Sequence, residues 1–230
     1  MIVASLTRQM PHSVPPAGFA KRWDVSRESL ARLELYAGEL LRWQQVHNLI
    51  AKTAEADFWE RHVADALQLA PFLSDARSNI VDIGSGGGIP AIPLAIQLQD
   101  QRQGPTITMI ESNAKKAAFL RTASRLCGID VRIINKRIES LTDSDVEQPV
   151  DAVIARALAP VAELLDLVTG MPVRPQRMLF LKGQHVDAEL TEATKCWNIS
   201  FSKHPSQTAP DGCILEIHEA ERVKSVPRSG

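Results

Sequence analysis

The chain has 230 residues, 44% of them apolar and 23% charged, with a formal net charge of −1. That length suits one core with an appended element, and the composition excludes a disordered or collagen-like chain. It also argues against a globally basic polyanion binder, and no apolar run reaches the roughly 20 residues that a membrane helix needs.

In chain order, residues 1–22 contain Pro11, Pro15, Pro16 and Gly18 with little periodicity and read as a loose arm. They lack a charged segment followed by an apolar one, so no secretory signal is expected. Ser26 is placed to cap a helix carrying Leu30, Leu33, Ala37, Leu40 and Leu41 along one stripe. A second helical pattern runs from about Asp57 to Phe72, making residues 23–75 an all-helical cap. From Asn79 the pattern changes. The strand-like runs NIVDI, TITMIE, VRIIN, DAVIA and RMLFLK are interspersed with the helical IPAIPLAIQL, NAKKAAFLRTASRLCG and PVAELLDLV. This alternation predicts an α/β Rossmann-like parallel sheet with helices on both faces over residues 76–222. CWNISFSKH and CILEIHE, separated by a turn with Pro205, Pro210 and Gly212, predict an antiparallel hairpin at its edge. Residues 223–230 read as a tail. Cys127, Cys196 and Cys213 are far apart and form no C-x-x-C pair, so neither a disulfide framework nor a metal site is expected, and a reducing cytoplasm fits.

The densest signal is VDIGSGGGIPAIPLAIQ, Val81 to Gln97. Glycines at the end of a strand let backbone N–H groups lie against a ligand, and Pro90 suits the first turn of the following helix. Two cofactors compete for this turn. Gly86, Gly88 and Ala91, with Glu111 further on, fit a G-x-G-x-x-A dinucleotide fingerprint and a nicotinamide oxidoreductase. Asp82-x-Gly84-x-Gly86-x-Gly88 instead matches the turn typical of S-adenosylmethionine-dependent methyltransferases. That register uses the acid at the strand end and is the preferred one, with Glu111 accepting from the ribose hydroxyls.

Charge is distributed unevenly. Between Arg102 and Arg137 eight basic residues face only Glu111 and Asp130, a local +6. The segment is either a solvated face or a phosphate-facing patch, with Lys115, Lys116 and Arg121 as its candidate RNA contacts.

The segments RHVADAL, DIGSGGGIPAIPLA, ESNAKKAAFLR, RIESL, ARAL and LKG occur in an order and spacing that resembles the bacterial ribosomal RNA small-subunit methyltransferase G family. The upstream WQQVHNLIA is similar to that family's N-terminal segment, and the resemblance covers roughly Leu30 to Leu215. It implies S-adenosylmethionine as cofactor and methylation of guanine N7, at position 527 of 16S rRNA in the small ribosomal subunit. Separately, a cytoplasmic monomer is expected. By the same resemblance, Gly84 and Ile89 touch the donor and Ile138 and Glu139 flank its adenine. Arg156 lies near the reacting end. Apart from the resemblance, Lys182, ahead of Gly183 at a strand end, reads as a phosphate or active-site contact. His62, three residues before Asp65 on a helix, reads either as an RNA contact or as a capping and packing residue. Three positions depart from the family pattern: Ala91 for glycine, Gln44 for asparagine and Ala66 for serine. N7 of guanine carries a free lone pair, so no general base is required, and Ala155-Arg156-Ala157-Leu158 offers none. A non-catalytic RNA-binding protein with a vestigial cofactor site stands as the rival reading.

Overall fold

A computed structural model describes residues 14–50, 57–73, 79–99 and 104–223. Helix α1 (Phe19–Arg22) lies inside the expected loose arm, with Phe19 buried edge-on against Trp59 at 5.0 Å. Ser26 accepts from the N–H of Ser29 at 3.0 Å and starts α2 (Arg27–Gln44), whose buried face includes Leu33, Tyr36, Ala37, Leu40 and Leu41. The expected Asp57–Phe72 helix is broken. A π-helical turn at Trp59–Ala64 leads into α3 (Asp65–Leu67), and Ala70–Phe72 forms a separate 3-10 turn around Pro71. Proline cannot donate into a helix, and π turns recur at functional sites.

The remaining elements alternate as expected. They are β1 (Asn79–Ile83), α4 (Ala91–Leu98), β2 (Thr106–Ile110), α5 (Ala114–Cys127), β3 (Arg132–Ile134), β4 (Val150–Arg156), α6 (Val161–Gly170), β5 (Pro175–Lys182), α7 (Val186–Ala193), β6 (Trp197–Pro205) and β7 (Cys213–Arg222). The seven strands lie in the order β3-β2-β1-β4-β5-β7-β6, with β1 to β5 parallel and β6 and β7 antiparallel. Helix α7 is an element the sequence reading passed over. Its buried positions Val186, Leu190 and Ala193 have helical spacing.

Strand alternation sorts side chains between two cores. Ile80, Ile107, Ala152, Ile154, Leu179 and Leu181 pack with α2, α4, α5 and the cap, whereas Val81, Ile83, Val153, Ala155 and Phe180 pack with α6 and α7. The cap therefore shares its apolar core with one face of the sheet. The same alternation aims Asp82 and Arg156 at the cap, and Lys182 at α6 and α7.

Candidate active site

The strand order reverses between β1 and β4, and ligands of open α/β sheets bind at such a point, beyond the carboxyl ends of the strands. The loops after these two strands open into one cleft of about 1080 Å³. A single small-molecule site spans roughly 300–1,000 Å³, so this cleft has room for more than one ligand.

Gly84, Gly86 and Gly88 all have left-handed backbones, with φ of 68°, 54° and 81°. A Cβ at Gly84 would approach Leu158 Cδ1 to 2.5 Å, so the turn and the loop after β4 touch with no room for a side chain. Most of the turn's N–H groups fold the turn instead of lying open to a ligand, contrary to the sequence expectation. Gly84 and Ser85 donate to Ile110 O, Gly88 donates to Ser85 O at 2.6 Å, and Gly86 donates to Glu111 Oε2 at 2.8 Å. The start of α4 is equally poor in donors. Pro90 and Pro93 have no N–H, and Ile92 donates to Gly88 O at 2.7 Å. A pyrophosphate needs such groups, so the dinucleotide register loses its physical basis.

A cofactor without phosphates fits better. Asp82 is 1% exposed and neither of its carboxylate oxygens has a partner among the described residues. Burial pushes its pKa up to about 7, the Ser85 side chain opposes that rise, and the nearby Glu111 charge adds to it. An orphaned buried carboxylate is costly without a donor or a cation, and S-adenosylmethionine carries both an ammonium and a sulfonium. Glu111 accepts from Gly86 N–H and, through Oε1, from Asn113 N–H at 2.7 Å. A carboxylate has about four acceptor positions, so capacity for ribose hydroxyls remains. Tyr36 braces the turn from α2, donating to Gly87 O at 2.6 Å.

Of the residues singled out from sequence, Gly84, Gly86, Ile89, His62, Lys116, Arg156 and Lys182 line the same cleft. Asp82 is buried at the end of β1, and Gly88 is buried within the turn itself. Ile138 and Glu139 sit on a 3-10 turn after β3, away from the cleft lining, and Lys115 and Arg121 are exposed on α5. Arg102 lies outside the described residues, and Lys136 of the basic segment is paired with Asp145 at 2.6 Å.

Arg156 is committed to the cap. Its Nε meets Asp65 Oδ2 at 2.8 Å, one Nη donates to His62 Nδ1 at 2.8 Å and the other to Arg61 O at 2.7 Å. A guanidinium only donates, which assigns the ring proton of His62 to Nε2. Burial and the Arg156 charge lower the His62 pKa to about 3, so the ring is neutral. It is 5% exposed and packed into the cap at the cleft lining. Ala157 follows with φ 51°, a conformation that costs an alanine about 1–3 kcal/mol. That reversal directs Arg156 and Leu158 to different partners.

Glu189, which pairs with Lys182, was missed from sequence, and so were the partners of Gln44. Lys182 Nζ donates to Ala159 O at 3.0 Å and pairs with Glu189 Oε2 at 2.5 Å, and the same Oε2 accepts from Val161 N–H at 3.0 Å. Gln44, which replaces the family's asparagine, bonds Leu49 N–H, Ile50 N–H and Ile50 O at 2.7–3.0 Å and so shapes one rim of the cleft. On the opposite rim, Asp65 Oδ1 accepts from Gln68 and Thr208, tying the cap to the β6–β7 turn.

The family model described as rRNA small subunit methyltransferase G matches residues 29–211. The chain belongs to this family. A ribosomal RNA small subunit methyltransferase G from Gluconobacter oxydans (strain 621H) is 43% identical over 199 residues, covering 86% of this chain and 98% of that protein. Among solved structures, an O-methyltransferase from Bacillus cereus in complex with SAH is similar with a TM-score of 0.53 at 14% identity, covering 80% of this chain and 90% of that one. MtNAS in complex with S-adenosylmethionine aligns with a TM-score of 0.52 at 15% identity, covering 88% and 79%. These two likenesses show that the chain has the Rossmann-like fold of S-adenosylmethionine-dependent methyltransferases. Among its described residues, no helix is long and apolar enough to cross a membrane.

Proposed function

We propose that the chain transfers a methyl group from S-adenosylmethionine to N7 of a guanine in small-subunit ribosomal RNA, position 527 by family resemblance, acting as a monomer. The observation that carries this reading is the glycine turn with few free N–H donors, joined to a cleft large enough for a nucleotide as well. The bound cofactor supplies a methyl group on a positively charged sulfur. Guanine N7 takes that methyl on its own lone pair: the N–C bond forms as the S–C bond breaks, the pair returns to sulfur as a neutral thioether, the positive charge passes to the purine, and no proton has to leave first. The protein's task is then to hold the two partners in line and exclude water.

The residues suit that task. Gly84 and Ile89 form the donor side, Asp82 supplies compensating charge below it, and Glu111 is available to the ribose. Arg156 and Lys182 brace the loop between Arg156 and Pro160 rather than exchange protons. Their carbonyl and carboxylate partners occupy the head groups of both side chains. Lys116 at the cleft edge, with Lys115 and Arg121 outside it, provides phosphate contacts, and an everted base enters between the cap and the hairpin turn.

The experiment is a methyl-transfer assay with purified 16S rRNA and with 30S particles, followed by mapping of the modified base. Methylation at guanine N7 is expected. RNA binding with no transfer to either substrate would instead favour the vestigial-site reading.

A further inference from the structure

Asp65 and Glu189 are the carboxylates among the residues that line the cleft. They are not equivalent. Both oxygens of Asp65 are engaged, Oδ2 by Arg156 and Oδ1 by Gln68 and Thr208. Glu189 uses Oε2 alone, for Lys182 and the Val161 N–H, and no bond to Oε1 occurs among the described residues. Its side chain is 24% exposed, so the unused oxygen belongs to a carboxylate that is fixed yet reachable. Lys182 and the N–H at the start of α6 hold it in place, which removes most of the entropy cost of using it.

Resting on the guanine-N7 reading, we propose that Glu189 is the group that identifies the base, accepting from its N1–H and exocyclic N2–H edge. Guanine presents two donors along that edge. Adenine presents a bare N1 lone pair there, which a carboxylate repels. Inside a site that takes up an extruded base, the Watson–Crick edge is what the protein can read. The topology supports the direction. Lys182, which anchors Glu189, ends β5, and the glycine turn follows β1 with β4 between them. Two strand spacings of about 4.8 Å separate these ends. A purine bridging that span with its N1–N2 edge on Glu189 turns N7 towards the donor turn. Lys182 is on this account a positioning residue for Glu189.

The test compares rRNA carrying guanosine or inosine at the target position, since inosine keeps N7 and N1–H and lacks the N2 amine. Single-turnover methylation and RNA dissociation constants are measured for the wild type, Glu189→Ala and Glu189→Gln. Losing a hydrogen bond to a charged group costs about 1.5–3 kcal/mol, so the wild type should prefer guanosine by about tenfold or more. The preference should fall to within about threefold for Glu189→Ala and to an intermediate value for Glu189→Gln. Because each ratio is taken within one variant, a loss of overall activity does not mimic the effect. If Glu189→Ala does not fold, the Gln variant decides. A variant that discriminates as well as the wild type, or a wild type that treats both bases alike, overturns this inference alone. A wild type that leaves guanosine N7 unmodified removes the parent reading, and this one with it.

Discussion

Replacing His62 by glutamine isolates one titrating group whose energetics follow from its surroundings. The folded ring has a pKa near 3 against an ordinary value of 6.5. Between those values the unfolded chain binds a proton that the folded chain rejects, so the stability contribution is complete above pH 6.5 and is lost as pH falls. At pH 5 the unfolded imidazole is almost fully charged and the native ring is neutral, which amounts to about 2 kcal/mol relative to pH 8. The figure changes little for any native pKa below about 4. Asp82 works in the opposite sense. Its pKa rises from 3.8 to about 7 in the fold, so its contribution is present at low pH and lost as pH rises through 7. The wild-type profile therefore mixes two opposed slopes, and only the difference between variant and wild type reads His62. Glutamine can still accept from Arg156 through its carbonyl oxygen but does not titrate. Urea denaturation at pH 5, 6, 7 and 8 should show His62→Gln gaining about 2 kcal/mol on the wild type between pH 8 and pH 5. Parallel curves for the two proteins would refute the assignment of a buried, neutral His62.

Two other outcomes can be checked directly. Gly84→Val adds a branched side chain where even a Cβ lies 2.5 Å from Leu158 and φ is 68°, so calorimetry should detect no S-adenosylmethionine binding while the circular dichroism spectrum is retained; wild-type binding would remove the turn from the site. Lys116 lines the cleft whereas Arg121 is merely exposed on α5, so Lys116→Ala should weaken rRNA binding and lower the salt slope by about one counterion, more than Arg121→Ala does; equal small effects would make the basic segment a solvated face.

The sheet, its edge hairpin and the glycine turn were legible in the sequence because each rests on local pattern: β-branched runs, proline-rich turns and a strand end followed by four glycines. Ser26 as a helix cap was legible for the same reason. What escaped depends on long-range partners. The turn's N–H groups are consumed by Ile110 O and Glu111, which lie on another strand and beyond it. Arg156 could be placed at a strand end, but its engagement with His62 and Asp65 arises from packing between segments some 90 residues apart. The broken helix at Trp59–Phe72 keeps its apolar spacing, so periodicity alone conceals the π turn. Glu189 was hidden because the short α7 was overlooked, although Val186, Leu190 and Ala193 carry its signal.

The last strand is inserted into the sheet, not added to it. β7 lies between β5 and β6 and pairs with both, so β6 has no neighbour until residues beyond Cys213 are available. The turn joining the two strands is also the part of the chain that Gln68 and Asp65 grip from the cap. During synthesis on the ribosome, the nascent chain can complete β1 to β5 and still have an open-sided cleft. Only when Cys213–Arg222 has emerged does the hairpin fold back and close that wall. Competence to accept a substrate is thus deferred until β7 has been made, and a chain terminated before β7 would keep its donor turn but lose the rim opposite it.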